Sequence, residues 1–121
     1  MMSLQYFFDN KLGSSLHGVT GQGLAEFGRD TIARMQALDI IVDVSHSSEQ
    51  VVRYVLAVTQ KPIVVSHTDF KGHCDSTRNI SGNLMQAIAQ KGGLIAAGFW
   101  DGAFCGSSPT LIAEAITQSD G

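Results

Sequence analysis

Apolar residues fall along this chain in two kinds of run. Ile40-Ile41-Val42-Asp43-Val44-Ser45-His46 and Pro62-Ile63-Val64-Val65-Ser66-His67 are short, rich in β-branched residues and almost unbroken by polar positions. Such a run reads as a strand covered on both faces, which in an alternating β/α chain means a parallel sheet. Elsewhere the apolar residues recur at helical spacing. Leu24, Phe27, Thr31, Met35 and Leu38 make one stripe of a helix over 24–38, with Glu26, Arg29, Asp30 and Arg34 largely off it. Val51, Val52, Val55 and Leu56 make a second stripe, in a helix capped by Ser47 or Ser48, acidic in its first turn at Glu49 and ending near Thr59. Asn83 is placed to cap a third helix, which carries Leu84, Ala87 and Ile88 inward and stops at Gly92-Gly93. Leu94 to Phe99 reads as a further buried strand, and Ser108-Pro109 opens a last helix to about Gln118. A less regular strand over Met1 to Phe8 precedes them all, followed by a glycine-rich loop over Lys11 to Gly23.

These elements make three clear β/α units and one more at the start, each of about 25 to 30 residues. The expected fold is α/β, a partial TIM barrel of about four β/α units with parallel strands, half of the eight that close a barrel. It forms one domain over 1–121. Composition adds one expectation. Only 16% of residues are charged, against about 25% in ordinary soluble domains, so part of the surface is expected to be covered, by self-association or by the missing part of the barrel. A net charge of −3 with no basic cluster lacks the electrostatic footprint of a nucleic-acid or anionic-membrane binder. No apolar run approaches the length of a membrane span, and Met1-Met2-Ser3-Leu4 lacks the basic start and long apolar core of a signal peptide. The expected location is cytoplasmic. Cys74 and Cys105 are too few for a disulfide scaffold and are not spaced as a zinc knuckle, so both read as reduced thiols.

The chemistry gathers at the two strand ends. The same Val-Ser-His ending occurs twice, 21 residues apart, about one β/α unit. Adjacent parallel strands lie about 4.8 Å apart, so His46 and His67 can aim two imidazoles at one ion from the face where barrel enzymes keep their chemistry. Two neutral imidazoles suit zinc, but a hydrolytic site takes three or four protein ligands. Asp43, three residues before His46, should point to the other side by strand alternation. Asp69, Asp75 and Asp101 in loops remain candidates for a further ligand, and His17 lies in the glycine-rich loop with nothing paired to it. The loop over Thr68 to Gly82 is about 15 residues where βα loops usually take 2–6, a length that marks functional loops. There is no nucleophile elbow, P-loop or dinucleotide fingerprint.

With these residues in view, the chain resembles the membrane (renal) dipeptidases and their bacterial relatives, zinc-dependent (β/α) barrels. The likeness is carried by Gly23-Leu24-x-x-Phe27-Gly28-Arg29, Val42-Asp43-Val44-Ser45-His46-Ser47-Ser48, Pro62-Ile63-Val64-Val65-Ser66-His67, Cys74-Asp75-Ser76-Thr77-Arg78-Asn79 and Gly92-Gly93-Leu94-Ile95. Phe7-Phe8-Asp9-Asn10 and Leu16-His17-Gly18 resemble one bacterial branch. The resemblance implies dipeptide hydrolysis at a site of two zinc ions, with His46 and His67 as metal ligands and Arg78 holding the substrate. A guanidinium suits that role, since its planar fork can take a dipeptide carboxylate bidentately. Tyr6 stands where the family commonly has a histidine associated with the developing oxyanion, and tyrosine can donate one hydrogen bond there. The family's His-x-Asp pair, bridging glutamate and late aspartate have no match in this chain; such segments would lie before Met1 and after Gly121. Two alternatives stay open: a non-catalytic barrel remnant serving as a subunit or binding module, and another metal-dependent hydrolase of the same barrel class.

Overall fold

The structure, a computed structural model, describes residues 1–6, 8–15, 23–69, 71, 74–76, 79–98, 105–106 and 108–119. Among the described residues, four strands and four helices alternate: β1 (Met2–Ser3), α1 (Glu26–Ala37), β2 (Val42–Asp43), α2 (Glu49–Val58), β3 (Val64–Thr68), α3 (Gly82–Gln90), β4 (Leu94–Ala97) and α4 (Pro109–Ser119). All strand pairs are parallel and the sheet order is β1-β2-β3-β4. A doubly wound sheet reverses its order at a switch point, whereas here each strand lies beside its sequence neighbour, as in a barrel. The fold is that of four consecutive β/α units, a partial barrel.

Local chemistry explains where the helices begin. Ser48 is the N-cap of α2, its side chain accepting from Val51 N, and Ser108 Oγ accepts from Leu111 N at the start of α4, where Pro109 is the first helical residue. The third start differs from expectation. Ser81, not Asn83, is the N-cap of α3; it makes no side-chain cap, and its carbonyl takes Leu84 N and Met85 N. Asn83 is two residues too late, inside the first turn, and lies exposed.

The core is the seam between the sheet and α1–α3. Val42, Val44, Ile63 and Val65 from the sheet meet Ile32 and Met35 of α1, Val51, Val52, Val55 and Leu56 of α2, and Leu84 and Ile88 of α3. In α1 the inward face is rotated from the expected stripe. Gly28, Ile32 and Met35 are buried, while Phe27 and Leu38 are 60% and 52% exposed. Gly28 explains the rotation, because a Cβ there would stand 2.2 Å from the Leu12 carbonyl oxygen. The loop thus packs directly on the helix backbone, and only glycine lets it do so.

Two further expectations are corrected. The β2 strand is shorter than its β-branched run, because the chain turns after Val44, where Ser47 N donates to Val44 O. The β4 strand is not buried: it ends at Ala97 and Leu94 is 62% exposed, since β4 has a neighbour on one side only. At the other end of the sheet Met2 is 41% exposed.

Gly28→Ala should destabilise the fold by about 1–3 kcal/mol or more, because a backbone carbonyl cannot step aside as a side chain can. Gly82→Ala is the control, with nothing within 4 Å of the added methyl, and should be neutral or stabilising by up to about 1 kcal/mol. Paired denaturant melts of the two variants check this; equal effects would contradict it.

Candidate metal centre

Parallel pairing of β2 with β3 brings the two Ser-His endings together. Asp43 is in register with Val64, and Val44 N donates to Val64 O at 2.9 Å. His67 is the last residue but one of β3, and His46 lies on the turn that follows β2. Their Nε2 atoms face each other at 2.9 Å, with ring centroids 4.9 Å apart. His46 is buried and holds a left-handed backbone, φ 68°, which is uncommon for a residue with a Cβ and recurs at binding sites. Two nitrogens on one tetrahedral zinc, each at about 2.0–2.1 Å, lie about 3.3 Å apart. The imidazole pair is therefore within a few tenths of an ångström of the spacing that one ion requires, and the donor type fits zinc.

The support beneath the pair is a carboxylate that strand alternation had directed elsewhere. Asp43 is buried at 2% exposure and accepts from four donors: Ser3 Oγ and Ser66 Oγ, both at 2.7 Å on Oδ2, and Ser45 N and Ser66 N at 3.0 and 3.2 Å on Oδ1. Alternation fails here because the chain turns after Val44, so the parity count cannot be carried through the turn to His46. Burial pushes the Asp43 carboxyl up, but the bonds from Ser45 N, Ser66 Oγ, Ser3 Oγ and Ser66 N outweigh it and hold the group below the ordinary aspartate range. Ser66 Oγ lies in turn 2.9 Å from His67 Nδ1, and Ser45 Oγ accepts from His67 N at 3.2 Å. Ser3, Ser45 and Ser66 escaped the sequence reading; the signal that could have found two of them was the serine repeated before each histidine.

Tyr6 reaches the same place. Its ring is 4.9 Å from that of His46 at 55°, and it is 70% exposed. Ser15 Oγ lies 3.1 Å from both the Tyr6 and the His46 carbonyl oxygens, tying the stretch after β1 to the His46 turn. A cavity of about 30 Å³ beside the imidazoles is lined in part by Glu49, Thr68 and Asn79, enough for a water or two. The loop after β3 closes on itself, with Ile80 N donating to Asp69 O and Lys71 N to Ile80 O. Asp69 is buried within it and Asp75 is exposed. Arg78, His17 and Asp101 lie outside the described residues. Among the described residues no group of three or more His, Cys, Asp or Glu side chains is placed to hold one metal.

The cysteines correct the sequence reading. Cys74 and Cys105, expected as reduced thiols, form a disulfide with Cα atoms 5.8 Å apart. The two lie 31 residues apart in sequence, but Cys74 follows β3 and Cys105 follows β4, two strands that pair in parallel.

The family model for Membrane dipeptidase (Peptidase family M19) matches residues 1–117. The chain belongs to the membrane dipeptidase family. Dipeptidase 3 of Mus musculus is 33% identical over 73 residues, 60% of this chain and 15% of that protein. Among solved structures, an amidohydrolase from Pseudomonas aeruginosa superposes with a TM-score of 0.84 at 28% identity, over 97% of this chain and 37% of that one. A metallopeptidase from Rhodobacter sphaeroides, liganded with a phosphinate mimic of the dipeptide L-Ala-D-Ala, superposes with a TM-score of 0.76 at 25% identity, over 83% of this chain and 30% of that one. The chain thus spans well under half the length of these relatives. Its family is one of metallopeptidases. No helix among the described residues is long and apolar enough to cross a membrane.

Because Asp43 is ionised at a lower pH in the folded chain than in the unfolded one, its stabilisation is present above the ordinary aspartate value near 3.9 and is lost as pH falls through the lowered folded value. Asp43→Asn should cost about 1–2 kcal/mol at pH 7, and the gap to wild type should shrink below about pH 4. Thermal melts of both proteins from pH 7 to pH 3 check this; a gap that widens in acid would contradict the assignment.

Proposed function

We propose that this protein acts in the hydrolysis of dipeptides at a zinc centre to which His46 and His67 contribute Nε2 ligands. The observation that carries this reading is the pair of Nε2 atoms facing each other at 2.9 Å on adjacent parallel strand ends, in a chain of a dipeptidase family. Bound there, zinc supplies a Lewis acid and a water of lowered pKa. The residues of this chain do the rest. Tyr6, exposed beside His46, is assigned the donation of a hydrogen bond to a carbonyl oxygen as negative charge develops on it. Arg78 is assigned the substrate carboxylate, which its planar guanidinium can grip with two parallel bonds. The dipeptide mimic held by the Rhodobacter sphaeroides relative supports this substrate class.

A hydrolytic zinc site takes at least three protein ligands, so the reading places the remaining ligands, and those of a second zinc, outside the described residues. It also expects the exposed apolar positions at the sheet ends, Met2 and Leu94 among them, to be covered by the remainder of a barrel or by self-association. The second reading, a non-catalytic barrel module, draws on the absence of a third ligand among the described residues.

The test is zinc binding by calorimetry and dipeptide hydrolysis with added zinc, on the chain as given, on His67→Ala and on the chain joined to the family's remaining ligand segments. The 121-residue chain should bind zinc weakly, lose at least about tenfold in affinity in His67→Ala and turn over little; joining the segments should raise turnover in a His67-dependent way. Zinc affinity unchanged by His67→Ala would overturn the metal assignment, and an inactive joined protein would favour the non-catalytic module. Separately, the unextended chain should sediment as more than a monomer at micromolar concentration; a stable compact monomer would contradict the expected association.

A further inference from the structure

The hydrogen-bond chain beneath His67 carries a direction that can be worked out donor by donor. Asp43 is a carboxylate and can only accept, so the 2.7 Å contact with Ser66 Oγ uses the single proton of that hydroxyl. Ser66 Oγ then has only lone pairs left for its other neighbours, His67 Nδ1 at 2.9 Å and Ser45 Oγ at 3.1 Å. His67 Nδ1 must therefore carry a proton and donate it. In a neutral imidazole that leaves the lone pair on Nε2, the atom that faces His46 Nε2. Ser3 Oγ and two backbone N–H groups fill the remaining acceptor positions of Asp43, so the carboxylate is held and cannot turn away from Ser66.

We propose that Asp43, acting through the Ser66 hydroxyl, is a positioning residue that fixes His67 as the Nδ1–H tautomer and so keeps its Nε2 lone pair ready for a metal. This deepens the zinc reading and rests on it for the identity of the ligand, but the tautomer itself does not. The arrangement gives the two histidines different parts. His67 is preset from beneath through its ring nitrogen, whereas His46 is held through its backbone, by its left-handed turn and by Ser15 on its carbonyl. Histidine ligands commonly have their second nitrogen held by a carboxylate or carbonyl, and losing that support costs about 10–100-fold in metal affinity.

Asp43→Asn makes the sharpest test because it reverses the chain. The amide oxygen can keep the two backbone N–H donors on the Oδ1 side, which places the NH₂ where Oδ2 stood. That group donates to Ser66 Oγ, the serine proton turns to His67 Nδ1, and His67 is left as the Nε2–H tautomer. An isosteric change from aspartate to asparagine that yields the wrong histidine tautomer has precedent in catalytic triads. Ser66→Ala removes the link altogether with little change of volume, and Ser66→Thr restores the hydroxyl.

The experiment is nitrogen-resolved NMR of the histidine side chains without metal, on wild type, Asp43→Asn, Ser66→Ala and Ser66→Thr, followed by calorimetric titration with zinc alone. Far-ultraviolet circular dichroism verifies that each variant is folded. The expected result is Nδ1–H at His67 in wild type and Ser66→Thr, Nε2–H in Asp43→Asn and a mixture in Ser66→Ala. Zinc affinity should be about 10–100-fold weaker in Asp43→Asn and Ser66→Ala and within about threefold of wild type in Ser66→Thr. Wild-type His67 found as Nε2–H, or Ser66→Ala with unchanged tautomer and affinity, would overturn the proposal. If the tautomers follow the expected order while wild type takes up no zinc, the positioning role of Asp43 stands and the zinc reading of the site is what fails.

Discussion

A single buried carboxylate ties three parallel strands together. Asp43 at the end of β2 takes hydroxyls from Ser3 on β1 and Ser66 on β3, and it closes its own turn through Ser45 N. Very short strands make this important. With two residues in β1 and two in β2, the ladder supplies few hydrogen bonds, and a charge-assisted set of four is correspondingly large beside it. Leaving such a group buried without partners would cost several kcal/mol, so the serines and the aspartate stabilise the sheet only as a set.

The same set serves chemistry. A binding site on a barrel needs side chains held at strand ends by something stiffer than a loop. Here the stiffness comes from below, through Ser66 to His67 Nδ1 and from Ser45 Oγ to His67 N, while His46 is held by a left-handed turn and by Ser15 on its carbonyl. Fold stability and site geometry thus draw on one group of atoms. The disulfide between Cys74 and Cys105 adds a second tie, between a residue that follows β3 and one that follows β4.

Hydrophobic packing governs the opposite side. The α2 helix is the most deeply engaged, with Val51 and Val55 fully enclosed, whereas β4 and the start of β1 present apolar residues to solvent. These exposed positions lie on a sheet whose outer strands, among the described residues, are paired on one side only.

Much of this was legible in the chain alone, wherever the determinant is local. β-Branched runs, serine caps and Ser108-Pro109 act within a few residues of themselves, so the order of elements and the α2 and α4 starts follow from composition and spacing. The recurrence of Val-Ser-His one β/α unit apart was enough to place His46 and His67 together, because a parallel sheet repeats its strand ends in register. What tertiary structure decided depends on partners distant in sequence. Leu12 packs on Gly28 and rotates α1, so Ile32 is buried and Phe27 is not. Cys74 meets Cys105 only because β3 pairs with β4. Asp43 turned toward Ser66 rather than away, since strand parity holds only while the backbone stays extended, and the chain turns just after Val44. The direction of a side chain at the end of a strand is set by the donors that neighbouring strands bring to it, and no local pattern encodes them.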